Sequence, residues 1–470
     1  MLFHEKIFVL FFFAVFFLYW FVCKKRSTQN LLIFVSSYIF YGWWDWRFLI
    51  LIFTSSLIDF FVAKKIEGEK SEKVRKHLLW ISLAINLGFL GVFKYLNFFI
   101  GSASELISLF GMNPNITTLN IILPVGISFY TFQTLSYTFD VYFKKRSAED
   151  SLVDFFAYVS FFPQLVAGPI ERSTHLLPQF KKERVFDLPL AYSGLRQMLW
   201  GYVKKIVIAD QMAIYVNDIF QNYPQYSSFA LAIGAVCFAF QIYGDFSGYS
   251  DIAIGLSKLF GFDLMTNFKF PYFSKNISEF WQRWHISLSG WFREYLYIPL
   301  GGGRGGMNLK IRNVFIVFLV SGFWHGANWT FVAWGLVHGL LYIPYVLLEG
   351  KKTNFNKNGF FDFPLILLNF ILVCVAWVFF RSVDLISSFD YLSGLFSFRD
   401  GGIGLLSEMS TSYIFILGLF ILGEWLIYKR YKIFDIYHLP RFVRWSGYYV
   451  LIFTFLFFLR GKTDFIYFQF

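Results

Sequence analysis

The chain has 470 residues, of which 57% are apolar, 23% aromatic and only 15% charged. Soluble domains carry about 25% charged residues, so the two or three water-soluble domains that length alone suggests are excluded, and lipid is the expected solvent. The formal charge of +12 does not point to nucleic acid: the basic residues fall in short clusters at 24–26, 64–76, 144–146, 181–184, 304–312, 351–357 and 429–444, between apolar stretches, which is the positive-inside pattern and not a continuous basic face.

A membrane-spanning helix needs about 20 apolar residues. The first candidate, 7–23, is followed by Lys24, Lys25 and Arg26, and bulky Trp20, Phe21 and Val22 stand where a cleavage site needs small side chains. It is expected to stay as a span and not to be removed as a signal peptide. Residues 31–63 run between two basic clusters and predict an out-and-back hairpin turning near 43–47. Spans follow at 78–100 and 119–143. The loop 101–118 holds Glu105 but no Lys or Arg, which places it outside and returns 144–146 to the cytoplasm. Pro163, Gly168 and Pro169 interrupt 152–170, which reads either as a span or as a re-entrant segment, since broken backbone at membrane depth must be covered by protein or water. The remaining candidates are 190–209, 229–258, 313–348, 363–380, 412–428 and 445–459. The predicted fold class is an all-α polytopic integral membrane protein with about 11 transmembrane helices plus re-entrant and interfacial ones, in a single transmembrane domain over 1–470. No internal repeat is visible. Cys23, Cys237 and Cys374 lie far apart with no CxxC pair, so neither a disulfide framework nor a metal site is expected.

Two regions depart from lipid-facing helix. Residues 240–312 mix apolar side chains with Asp245, Asp251, Lys269, Glu279, Arg283, His285, Arg293 and Glu294. Residues 313–348 hold no Asp, Glu, Lys or Arg, yet contain His325, Asn328 and His338. Polar groups inside a span are costly and normally face a cavity, a partner or a reaction centre. In the first region, the spacing of Trp281, Trp284, His285 and Leu288 predicts one face of a helix. In the second, Gly322 and Gly326 flank His325, small enough to let backbone or a ligand approach the imidazole. His338, next to Gly339, reads either as functional or as a helix-to-helix hydrogen bond.

The run Gly301-Gly302-Gly303-Arg304-Gly305-Gly306 contains GxGxxG but is not expected to bind a dinucleotide. It reads as a flexible cytoplasmic loop that does not open a helix in a strand–helix–strand unit. Its Arg304, with Lys310 and Arg312, either attracts an anionic donor or simply anchors the loop against acidic lipid. HExxH, GxSxG and P-loop motifs are absent, and no His has an Asp five residues later, which removes support for metalloprotease, serine hydrolase and ATPase readings.

Four stretches together resemble the membrane-bound O-acyltransferase superfamily, in the bacterial branch that holds alginate O-acetyltransferase and the teichoic-acid D-alanyl transfer protein. They are Gly42-Trp43-Trp44-Asp45, residues 167–172 (AGPIER), Arg283-Trp284-His285 through Pro299-Leu300-Gly301-Gly302, and Gly322-Phe323-Trp324-His325-Gly326. The terminal Phe465-Ile466-Tyr467-Phe468-Gln469-Phe470 also resembles the alginate branch. The resemblance implies a helical ring around a central tunnel, with His325 catalytic and His285 the second polar residue of the site. Trp284, Trp324, Asn328 and Arg304 are candidate substrate-binding residues.

Attack of a hydroxyl on a thioester needs a base for the hydroxyl proton and a donor for the oxyanion. His325 is assigned the first role, and His285 that of orienter or oxyanion-side donor; a covalent acyl-His step stays open. The expected activity is O-acetyl transfer toward an exported, alginate-like polysaccharide at the cell (inner) membrane. No cofactor is expected to be bound, and the donor would be acetyl-CoA or an acyl carrier thioester. The resemblance further implies an extracytoplasmic acyltransferase partner protein and a polysaccharide acceptor. The alternatives are D-alanyl or other acyl transfer to an envelope polymer and, in another class, a transporter of a lipid-linked or anionic substrate.

Overall fold

The computed structural model describes residues 1–112, 119, 121–166, 168–348, 362–409, 411–430 and 440–459. The basic cluster 351–357, His438, the terminal hexapeptide, Ala167 and residues 113–118 of the loop expected outside lie beyond the described residues. Among the described residues the chain is helical, with one isolated bridge between Tyr226 and Gly402 as its only extended pairing.

Two compact units are formed, Met1–Leu195 with Ala253–Met265, and Arg196–Ile252 with Thr266–Phe470. The first contains α1 (Lys6–Phe17), α2 (Arg26–Gly42), α3 (Leu49–Gly68), α4 (Glu72–Leu90), α5 (Leu96–Leu109), α6 (Ile127–Tyr142), α7 (Leu152–Ser160), α8 (Phe162–Leu165), α9 (Leu177–Phe180) and the start of α10 (Leu188–Tyr202). The second contains the rest of α10, α11 (Asp210–Gln221), most of α12 (Ser228–Leu259), α13 (Ile277–Arg283), α14 (Ile286–Phe292), α15 (Met307–His325), α16 (Trp329–Leu348), α17 (Asp362–Arg381), α18 (Leu385–Phe396), α19 (Thr411–Arg430) and α20 (Arg441–Phe458).

Among the described residues, six helices are long and apolar enough to cross a bilayer: Trp46–Gly68, Glu72–Leu109, Ser228–Leu259, Met307–His325, Trp329–Leu348 and Asp362–Arg381. Lys6–Val22, Leu152–Leu165 and Tyr413–Tyr428 are shorter apolar helices. These helices establish the polytopic all-α class and leave the expected number of about 11 spans unconfirmed. The hairpin expected over 31–63 is present as α2 and α3, and the Asp45 carboxylate caps its turn by accepting from the Arg47 N–H at 3.0 Å. In 152–170 the helix breaks at Phe161 and leaves α7 and α8 almost wholly buried.

The first unit holds α3, α4 and α6 together with buried polar side chains. Ser82 Oγ and Asn86 Nδ2 donate to the two oxygens of Asp59 at 2.5 and 2.9 Å, while Ser55 Oγ and Thr134 Oγ1 donate to Asn86 Oδ1 at 2.6 and 3.2 Å. Bonds of this kind replace the hydrophobic drive that lipid removes.

In the second unit, buried charges are paired, as an apolar solvent requires. Lys204 lies 3.1 Å from Asp251 and 3.4 Å from Glu424, and Lys205 lies 2.8 Å from Asp210 and 2.6 Å from Asp245. These four contacts join the π-helical turn Val203–Ala209 to α11, α12 and α19.

The stretch 313–348, read in sequence as one candidate, is a helical hairpin, α15 and α16, that breaks directly after His325. Its glycines decide this packing. A Cβ on Gly322 would lie 2.2 Å from the Phe331 carbonyl oxygen, and one on Gly335 would lie 2.3 Å from that of Phe318. The two backbones approach so closely only because these positions carry no side chain.

Candidate functional site

His285, His325 and His338 all belong to the second unit. His325 is the last residue of α15, where Gly326 turns the chain to extended backbone at φ −157° and ψ 152°. The imidazole is buried, with ring centroids 4.9 Å from Trp324, 5.1 Å from Trp334 and 5.3 Å from Phe380.

His285 reaches the same place by a different route from the one its spacing predicts. The expected continuous helix with Trp281, Trp284, His285 and Leu288 on one face does not form. α13 ends at Arg283, Trp284 is extended, and His285 takes the left-handed conformation at φ 43° and ψ 54° before α14 begins. A non-glycine residue there costs about 1–3 kcal/mol and needs surroundings that enforce it. Asn267 supplies them. Its backbone oxygen accepts from the Ile286 N–H at 2.9 Å, and its Oδ1 accepts from Ser287 N at 3.3 Å and Ser287 Oγ at 2.9 Å.

The same Oδ1 lies 3.0 Å from His285 Nδ1. A backbone N–H can only donate, so the Ser287 contact identifies that Asn267 atom as oxygen, and His285 Nδ1 must then carry the proton. The opposite nitrogen, Nε2, is left with its lone pair, buried and without a hydrogen-bond partner. Neutral His285 therefore presents an acceptor, not a donor. The rings of His285 and His325 stand 6.5 Å apart, with Trp324 4.9 Å from His325 and 6.3 Å from His285.

The other sequence candidates fall in different places. Trp284 is buried behind the break, 5.0 Å from both Phe268 and Trp377 and stacked on Phe280 at 5.5 Å, and so supports the site from outside it. Asn328 caps α16: Oδ1 accepts from Thr330 N at 3.0 Å and Nδ2 donates to the Val383 oxygen at 2.7 Å, so its polar atoms serve the fold.

Arg304 is exposed before the start of α15, with the 19 residues of that helix between it and the reaction-centre end. At 1.5 Å per residue this is roughly 28 Å, so Arg304 does not touch the His325 imidazole. Its glycine run forms turns, with Asn313 Nδ2 donating to the oxygens of Leu300 and Gly302 at 3.2 and 2.9 Å. It leads directly into α15, and no strand precedes it among the described residues, so the strand–helix–strand unit of a dinucleotide site does not form there. Asn267 and Trp334 were not singled out in sequence. A lone Asn in a loop and a Trp among many carry no signal until the fold brings them to an imidazole.

Two buried imidazoles in an aromatic shell, one with its tautomer fixed by an amide, form a constellation suited to proton transfer. The membrane-bound O-acyltransferase family pattern matches residues 31–389. The chain belongs to the membrane-bound O-acyltransferase family. It is 39% identical over 418 residues to a probable alginate O-acetylase AlgI of Pseudomonas putida, covering 88% of this chain and 83% of that one. It is 34% identical to a peptidoglycan O-acetyltransferase of Helicobacter pylori, covering 88% and 83%. To a teichoic acid D-alanyltransferase of Bacillus subtilis it is 26% identical, over 56% of this chain and 69% of the other. The chain is thus a multi-pass membrane O-acyltransferase, and the transporter reading is set aside.

For this O-acyltransferase the Asn267 contact yields a direct prediction. Asn267→Leu should lower acyl transfer roughly 5- to 150-fold, the equivalent of about 1–3 kcal/mol when a buried group loses its partner. Asn267→Asp, which keeps the acceptor oxygen, should recover most of the rate. Product formation at matched membrane content is the measurement, and equal rates for wild type and Asn267→Leu would show that the amide does not orient His285.

Proposed function

We propose that this enzyme transfers an acetyl group from a cytoplasmic thioester, acetyl-CoA or an acyl carrier thioester, to hydroxyls of an exported, alginate-like polysaccharide across the cell membrane. The observation that carries the reading is the pairing of His325 with His285 at 6.5 Å in a buried aromatic shell. His325 acts as general base on the acceptor hydroxyl. The hydroxyl oxygen bonds to the thioester carbonyl carbon, the C–S bond breaks, and the proton taken by His325 passes to the departing thiolate.

His285 fits the orienter role better than that of oxyanion donor. A carbonyl oxygen offers no proton to a lone pair, whereas a sugar carries neighbouring hydroxyls that do. His285 Nε2 therefore holds the acceptor side of the reaction. An extracytoplasmic acyltransferase partner receives or directs the acetyl group toward the polymer. D-alanyl transfer ranks second, because the D-alanyltransferase relative shares lower identity over a shorter stretch than the O-acetylase relatives.

The basic residues Arg304, Lys310 and Arg312 lie at the opposite end of α15 from His325 and suit the phosphates of a thioester donor. In sealed vesicles, transfer should require donor on the cytoplasmic face. Neutralising the three residues singly should raise the donor requirement in at least one variant. Efficient transfer from donor supplied only outside would reject this route, and unchanged donor dependence in all three variants would reduce the loop to an anchor.

A further inference from the structure

His338 has no part in the chemistry described so far. Its ring is fully buried in α16, and neither Nδ1 nor Nε2 has a hydrogen-bond partner. Around it stand Trp334 at 4.8 Å, Trp281 at 5.0 Å, Phe318 at 6.1 Å and Phe280 at 6.2 Å, centroid to centroid. The indole N–H groups of Trp281 and Trp334 are likewise buried and unpartnered. A neutral imidazole adds one donor and one acceptor to these two donors, and Trp377, its ring 6.4 Å away, carries a further buried indole N–H. For packing alone, a leucine or phenylalanine would fill the position with nothing polar to satisfy. Buried polar groups without partners are rare, and each calls for a functional explanation.

The position indicates which function. Trp334 stands between His338 and His325, at 4.8 and 5.1 Å. Facing His338 on α15 is Phe318, seven residues before His325, or roughly 10 Å along the helix axis. That displacement is toward the end of α15 that carries Lys310 and Arg312. On the same side Tyr342 packs on Phe318 at 5.6 Å, and its hydroxyl meets Ser278 Oγ at 3.2 Å.

We propose that His338, with the indoles of Trp281 and Trp334, binds the amide-bearing arm of the thioester donor and directs its acyl end to His325. Both donors considered above carry the thioester on such an arm. A secondary amide is flat and carries one donor and one acceptor. Its oxygen accepts from an indole or imidazole N–H, and its N–H donates to the imidazole lone pair. The inference rests on the thioester reading given under the proposed function.

The test uses membrane vesicles carrying the full chain, with release of free thiol from acetyl-CoA as the readout. His338→Phe keeps an aromatic ring and removes both nitrogens. It should lower kcat/KM about tenfold, the size expected for one buried hydrogen bond, mainly through a higher KM for acetyl-CoA. The defect should shrink with S-acetyl-2-mercaptoethanol, a thioester that has no amide. His338→Gln, which restores a donor and an acceptor, should recover part of the loss and serves if the Phe variant does not accumulate. An equal defect with both thioesters, or a fall in kcat at unchanged KM, overturns the proposal. Wild-type vesicles that release no thiol from any thioester would instead reject the donor reading on which it rests.

Discussion

Replacing His325 with alanine is expected to lower acyl transfer by about 10²–10⁴-fold, the range for losing a general base, while membrane insertion stays near normal. The imidazole closes α15 and packs against three aromatic rings, so His325→Gln, which fills more of the space, separates chemistry from packing. Both variants should lose transfer at matched membrane content, because neither side chain can take a proton from a hydroxyl near neutral pH. His285→Ala should also be severe, since it removes the lone pair that Asn267 aims into the site. His4→Ala, outside the second unit, should be mild. Near-wild-type transfer by His325→Gln would end the general-base assignment.

The second large effect is expected from a residue with no chemistry of its own. Gly322→Val should disable the enzyme even though every polar group of the site remains. A Cβ at Gly322 falls 2.2 Å from the Phe331 oxygen and 3.1 Å from its carbonyl carbon. Both are backbone atoms, so no rotamer change relieves the clash, and α15 and α16 must separate. His325 lies three residues further on and moves with its helix. A displacement of about 1 Å at a reacting group can cost 10²-fold in rate, and overpacking typically destabilises by about 1–3 kcal/mol. Transfer should therefore fall about 100-fold or more, with a lower melting temperature in detergent. Gly88→Ala is the matched control, because its added Cβ meets nothing within 4 Å. Unchanged activity and melting of Gly322→Val would show that the hairpin is not packed through this glycine.

Much of the site was legible because rare residues stand out against an apolar background. His325 and His338 are conspicuous in a stretch without Asp, Glu, Lys or Arg, and the linked motifs around His285 and His325 identify the family. Placement in the fold adds what residue type leaves open. Gly322 was read as room for backbone or a ligand beside His325, and of the two it is backbone, that of Phe331 on the neighbouring helix, that comes close. Asn328 was read as a candidate binding residue, and the fold shows it capping α16. Arg304 was read with the histidines, and it stands a helix length away. In each case the residue type was informative, and its partner was a matter of three-dimensional placement.

The sequence by itself determined the solvent, the helical class, the hairpin turning at residues 43–47 and the two imidazoles proposed for the reaction centre. These follow from composition, charge clusters and the high cost of polar groups in lipid, all of which act locally along the chain. Only the tertiary structure decided that helix stops at His285 and restarts beyond it. The periodicity of Trp281, Trp284, His285 and Leu288 is helical, but Asn267, distant in sequence, takes the hydrogen bonds that would have carried the helix through. That one side chain also fixes which His285 nitrogen holds the proton. A tautomer depends on a neighbour's oxygen, and periodicity cannot show which neighbour the fold will bring.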